Sequence, residues 1–236
     1  MTARRLAQLY GGLVLYGASA AMLVLAGLGL DPWDVLHQGL SRAVGLGVGT
    51  WVIIVGAAVL AVWWPLRQRP GFGTVSNVVV VGGVMDVVLA LVAPPHALAA
   101  RVACLAGGVT LNGVATGAYI GAGLGAGPRD GLTLGVCART GLPIRAVRTA
   151  IELSVLATGW LLGGTVGIGT VTYALAIGPI THVTIPALAR GSAASSPASR
   201  SAPSSTSADG PAETRRRTAA RSPRQRTGAP ARAADP

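Results

Sequence analysis

The stretch Gly123-Leu-Gly-Ala-Gly-Pro-Arg-Asp130, running into Gly-Leu-Thr-Leu-Gly135, sets a Pro, an Arg and an Asp between two long apolar runs. The same pattern occurs earlier, as Gly27-Leu-Gly-Leu-Asp-Pro-Trp-Asp34 followed by Val-Leu-His-Gln-Gly39. Pro32 and Pro128 are 96 positions apart, and the offset holds well beyond the motif. It places Gly11, Gly12, Leu15 and Gly17 on Gly107, Gly108, Leu111 and Gly113, and it places Gly71, Gly73, Thr74 and Gly82 on Gly167, Gly169, Thr170 and Gly178. A gapless match with glycines and prolines in step is hard to ascribe to composition. The first 190 or so residues are a tandem duplication.

A chain that is 51% hydrophobic, 11% charged and of mean hydropathy +0.56 is no soluble globule. Apolar runs of about 20 residues are long enough for a helix to cross the hydrocarbon core. The net charge of +11 is unevenly placed: nine of the nineteen basic residues lie between Arg190 and Arg232. That distribution points away from nucleic acid. Cys104 and Cys137 have no metal-ligand spacing and suit packing better than a disulfide framework.

Six spans are expected: the apolar run that follows Gln8 and reaches Leu30, then Thr50 to Leu66, Phe72 to Val92, Arg101 to Ala126, Ile144 to Leu162 and Ile168 to Leu188. Arg4-Arg5 and Ala18-Ser19-Ala20 resemble a secretory leader, but the apolar run continues past any cleavage point and its repeat partner is internal. Asp31 to Val44 and Pro128 to Thr140 are short amphipathic, re-entrant segments, too polar to span. Residues 1–96 form the first membrane repeat and 97–190 the second. Residues 191–236 are a Ser/Ala/Pro/Arg-rich tail with too little hydrophobicity to fold. Arginines at 4, 5, 67, 69, 129, 139, 145 and 148 alternate with poorer loops, so both termini are expected in the cytoplasm of a bacterium. Three spans per repeat then give two inverted halves, a plan shared by many secondary transporters. The fold class is all-α and polytopic.

In such folds, short Gly/Pro-interrupted segments at matching positions are the best pointer to a binding site. Asp34 and Asp130 stand two residues after their prolines, where a carboxylate either caps the first helical turn or lines a pathway. Arg129 has Trp33 as its counterpart, so only one half carries the adjacent cation. Asp86 and Glu152 lie within spans, where a charge at the bilayer centre costs about 2.5–3.5 kcal/mol on insertion scales. Arg148 and Glu152, four apart, suit an ion pair. Asp86 corresponds to His182, an arrangement that would suit proton coupling if the two met. The substrate-binding or pathway candidates are therefore Asp34, Asp86, Arg129, Asp130, Arg148 and Glu152. The Gly-Phe-Gly-Thr74 and Gly-Ile-Gly-Thr170 motifs read as helix-packing elements. No nucleophile–base pairing, P-loop, zinc spacing or dinucleotide fingerprint occurs, so neither an enzyme nor a cofactor is expected.

At Asp31-Pro-Trp-Asp34 with Gly39, Gly-Phe-Gly-Thr74 with Asn77, and Gly127-Pro-Arg-Asp-Gly131 with Arg148 and Glu152, the chain resembles the YczE-like bacterial membrane proteins, relatives of the YitT group. The resemblance covers about residues 6–190. It implies a multi-pass protein of the cytoplasmic membrane and brings no established substrate or reaction. Some members are associated with peptide-antibiotic production, which suits either export or a helper role. Two functions follow: a permease for a small-molecule substrate, or a non-transporting accessory protein that holds a partner. The expected partners are the lipid bilayer, a small solute and, through the Arg-rich tail, anionic lipid at roughly 1 kcal/mol per basic residue near the surface.

Overall fold

A computed structural model describes residues 3–193, and the tail expected beyond Gly191 lies almost wholly outside the described residues. The chain order is α1 (Ala3–Ala26), α2 (Pro32–Val44), α3 (Val48–Trp63), α4 (Phe72–Leu91), α5 (Leu98–Gly121), α6 (Pro128–Thr140), α7 (Ile144–Leu161) and α8 (Ile168–Ala193). The duplication is written into these boundaries: α2 and α6 are 96 positions apart at both ends, and so are the starts of α3 and α7 and of α4 and α8. Among the described residues every element is helical.

Four helices, α1, α4, α5 and α8, are long and apolar enough to cross a membrane. The pair α2 and α3, bent by 113° at its short break, makes at most a broken fifth span. This is fewer than six for a physical reason. The 16 residues of α3 reach only about 24 Å at 1.5 Å per residue, short of a core of about 30 Å. The 18 residues of α7 include Arg145, Arg148 and Glu152, which lower its hydropathy.

Equivalent helices make equivalent contacts. α1 packs on α4 as α5 packs on α8, and α1 and α5 pack on each other at the centre. At the first of these crossings a Cβ on Gly17 would come within 2.6 Å of the Val81 carbonyl oxygen, and at the second a Cβ on Gly113 would meet Ile180 Cγ2 at 2.3 Å. The short helices are exchanged: α2 lies on α7 of the other half, and α6 lies on α3.

The loop before each short helix is locked into the other half. The Gly73 N–H donates to the Leu124 carbonyl at 2.8 Å, and the Gly169 N–H donates to the Leu28 carbonyl at 2.8 Å. Gly29 and Gly125 hold φ of 119° and 138°, a region that favours glycine, and a Cβ on either would run into Thr170 or Thr74. The Gly-x-Gly-Thr motifs therefore do pack, but on a broken-helix loop. Thr74 Oγ1 donates on to the Ala126 carbonyl at 2.8 Å.

The two halves differ at one crossing. In the first, α3 and α4 touch at Gly49 and Gly82, where a Cβ on Gly82 would sit 2.3 Å from the Gly49 carbonyl oxygen. Asp86 fastens that contact by accepting from the Gly49 N–H and the Thr50 hydroxyl, both at 2.7 Å. In the second half Arg145 and His182 stand where Gly49 and Asp86 were. Both the glycine contact and its carboxylate cap are lost, and α7 and α8 make no comparable contact. Gly178, the partner of Gly82, is left with nothing within 4 Å of where its Cβ would be.

Candidate functional site

The parting of α7 and α8 opens a cavity of about 420 Å³. Its walls come from both halves, and both short helices present their N-terminal halves to it through Asp31, Trp33 and His37 on one side and Arg129, Asp130 and Thr133 on the other. Gly178 and Ala174 of α8, and Arg148 and Glu152 of α7, line the open side.

The first turn of α2 is built by Asp31 and Pro32. Pro32 has no N–H to leave unpaired at the first helical position, and Asp31 Oδ1 accepts from the N–H groups of Trp33 at 2.9 Å and Asp34 at 3.1 Å. Asp31 is thus the cap, and Asp34 is released from that role. The Asp34 carboxylate turns instead to His37 Nδ1 at 3.1 Å and to Arg129 Nη2 at 3.9 Å. The first turn of α6 has Pro128 but Gly127 in place of Asp31, so it has no side-chain cap. Its helix is seated by Trp63, whose indole N–H donates to the Pro128 carbonyl at 3.1 Å.

Arg129 crosses from α6 to the first turn of α2. Its Nη1 lies 3.3 Å from Asp31 Oδ1, and its guanidinium carbon lies 5.3 Å from the centre of the Trp33 ring. That is a cation–π contact. Trp33 and Arg129 are equivalent positions of the repeat, so the two motifs touch at one of the places where they differ in charge. Asp31 is fully buried and Asp34 is 1% exposed, whereas the Arg129 side chain keeps 31% of its surface open, on the cavity. Two carboxylates held out of water need this cation beside them.

Polar side chains and aromatic rings complete the wall. Tyr173 of α8 donates to Asn112 Oδ1 at 3.0 Å, and Asn112 Nδ2 donates to Ser19 Oγ at 2.9 Å, tying α8, α5 and α1 together behind the cavity. Tyr16 and Tyr119 meet edge to face, with centroids 5.9 Å apart.

Of the candidates taken from the sequence, Asp34 and Arg129 meet at the centre, and Asp130 lines the cavity one residue further on. Arg148 and Glu152 form their ion pair at 3.0 Å, at the rim and open to solvent. Asp86 lies outside the cavity lining, where it closes α3 on α4; His182 is exposed on α8, and no contact joins the two. Asp31 and His37 were not among the candidates. The difference between halves that singled out Arg129 applies to both, since Asp31 falls on Gly127 and His37 on Thr133.

A family model described as a family of unknown function, DUF6198, matches residues 3–186. An uncharacterized protein of Haemophilus influenzae is 40% identical over 75% of this chain and 82% of its own length. The uncharacterized membrane protein YczE of Bacillus subtilis is 32% identical over 75% of this chain and 83% of its own, and the uncharacterized protein YyaS of the same organism is 27% identical over 77% and 92%. No solved structure matches the chain. With four helices fit to cross a bilayer and most of its length matched to these proteins, the chain is a membrane protein of the DUF6198 family, similar to YczE.

Proposed function

We propose that this protein carries a small solute across the bacterial cytoplasmic membrane, through the cavity between its two halves. The observation that carries the reading is the unequal state of two equivalent crossings around a buried charged site. α3 and α4 are closed at Gly49 and Gly82, while α7 and α8 stand apart at Gly178, beside Arg129, Asp31 and Asp34. Parting of α3 from α4 as α7 draws onto α8, through contacts of its own, would open the site to each side in turn, which is the working principle of inverted-repeat carriers. A scaffold needs neither the cavity nor a guanidinium held between two carboxylates.

The topology that goes with this reading has six crossings, with α3 and α7 completing the set. α2 and α6 serve as half-helices whose N-termini meet inside the protein, and both chain termini lie in the cytoplasm. The arginine distribution supports that orientation. The experiment is uptake into sealed vesicles containing the purified protein, with a panel of radiolabelled amines, amino acids and organic acids. Flux of one solute that falls in Arg129→Gln supports carriage. If no solute moves, and Arg129→Gln restores the phenotype of a deletion strain as well as the wild type does, the accessory-protein reading replaces it.

A further inference from the structure

The cavity and the network behind it hold more negative than positive groups. Asp31, Asp34, Asp130 and Glu152 stand against Arg129 and Arg148. Both cations are already engaged: Arg148 lies 3.0 Å from Glu152, and Arg129 is held by Asp31 and Asp34 against the face of Trp33. An incoming anion would have to displace a carboxylate from a guanidinium. An incoming cation meets no such competition.

Two residues that line the cavity each have a buried side-chain atom without a partner. Asp31 Oδ2 has none, although the residue is fully buried, and neither does Nε2 of His37, which is 2% exposed. The state of His37 follows from its other nitrogen. Nδ1 lies 3.1 Å from a carboxylate oxygen of Asp34, which only accepts, so Nδ1 carries the hydrogen and Nε2 of the neutral ring is an acceptor. Both unpartnered atoms therefore call for donors from a ligand. A buried acceptor without a donor is costly, and a charged donor satisfies it best. The remaining wall is aromatic, with Trp33, Tyr16, Tyr119 and Tyr173 among its residues, and such surfaces attract organic cations. Among the described residues no three His, Cys, Asp or Glu side chains converge as metal ligands would.

We propose that the cavity binds a small organic cation, a protonated amine whose N–H groups donate to Asp31 Oδ2 and His37 Nε2 while its carbon skeleton lies against the aromatic wall. The inference rests on the cavity being the solute site. It is tested with three probes of similar size and different charge, benzylammonium, benzyl alcohol and benzoate, titrated calorimetrically into the purified full-length protein at neutral pH. Benzylammonium is expected to bind saturably, benzyl alcohol about tenfold more weakly or worse, and benzoate not at all. Asp31→Asn still caps α2 and is expected to weaken the amine about tenfold while leaving the alcohol unchanged. If that variant does not fold, the charge series on the wild type decides alone. Preference for benzoate, equal binding of amine and alcohol, or no saturable binding of the amine overturns the proposal. Amine binding without vesicle flux would leave the ligand class standing and remove the carrier reading. Flux of an organic acid would do the reverse.

Discussion

The unequal crossings can be tested by placing the same substitution at two equivalent positions. In Gly82→Ala the new methyl would lie 2.3 Å from the Gly49 carbonyl oxygen and 2.6 Å from Ile53 Cγ1. Neither helix backbone can yield without the other, so α3 and α4 must separate. Overpacking of this kind costs about 1–3 kcal/mol. Separation also stretches the two hydrogen bonds by which Asp86 caps α3, and loss of a cap costs a further 0.5–2 kcal/mol or so. Against this, alanine gains about 0.8–1.0 kcal/mol over glycine in a helix. The net loss is about 0.5–4 kcal/mol on these terms, centred a little above 2. Gly178→Ala adds the same methyl where nothing lies within 4 Å. Its helix-propensity gain is blunted because Pro179 follows and disfavours a Cβ on the residue before it, so the expected change is near zero. At about 2–4 °C per kcal/mol for a chain of this size, the two variants should melt roughly 5–10 °C apart in detergent. Equal destabilisation would show that α7 and α8 pack as α3 and α4 do, and the cavity would lose its open side.

Three further outcomes follow from the same contacts. Arg129→Met leaves Asp31 and Asp34 buried without their cation and should cost up to about 3–5 kcal/mol, with part regained on adding Asp34→Asn; a double variant no more stable than the single one contradicts the network. Asp86→Ala should cost about 0.5–2 kcal/mol as a lost cap, while amine binding stays as in the wild type, because Asp86 does not line the cavity. Reporter fusions after Arg69 should score cytoplasmic and fusions near His96 external; the opposite result at either position breaks the inverted topology.

Much of the architecture was legible because duplication leaves a mark that composition cannot imitate. The 96-residue offset located the short helices to within a residue, and their prolines marked the first turns. Apolar runs alone do not fix the number of crossings: α3 is short and α7 is charged, and neither fact shows until the helix ends are known. At the site, Arg129 and Asp34 were legible as an asymmetry and a shared motif position. Asp31 was passed over because the other motif has Gly127 in its place, and its role as the cap is what frees Asp34 for Arg129. Asp86 misled because a carboxylate inside an apolar run signals a pathway as readily as a cap. Only the packing of α3 against α4 places it at the start of the neighbouring helix. The exchange of α2 and α6 between halves left no signal in the sequence, since two amphipathic segments of equal length pack equally well on either partner.

Whether the cavity meets each side of the membrane in turn can be tested without knowing the solute. Asn77 of α4 and Thr116 of α5 line the cavity, and replacing Cys104 and Cys137 by alanine removes both native thiols. Asn77→Cys or Thr116→Cys in that background is then exposed, in sealed oriented vesicles, to a membrane-impermeant thiol reagent on one side at a time. Modification is expected from both sides, with an amine that fills the cavity protecting from each. Modification from one side only, whatever the ligand, would contradict it.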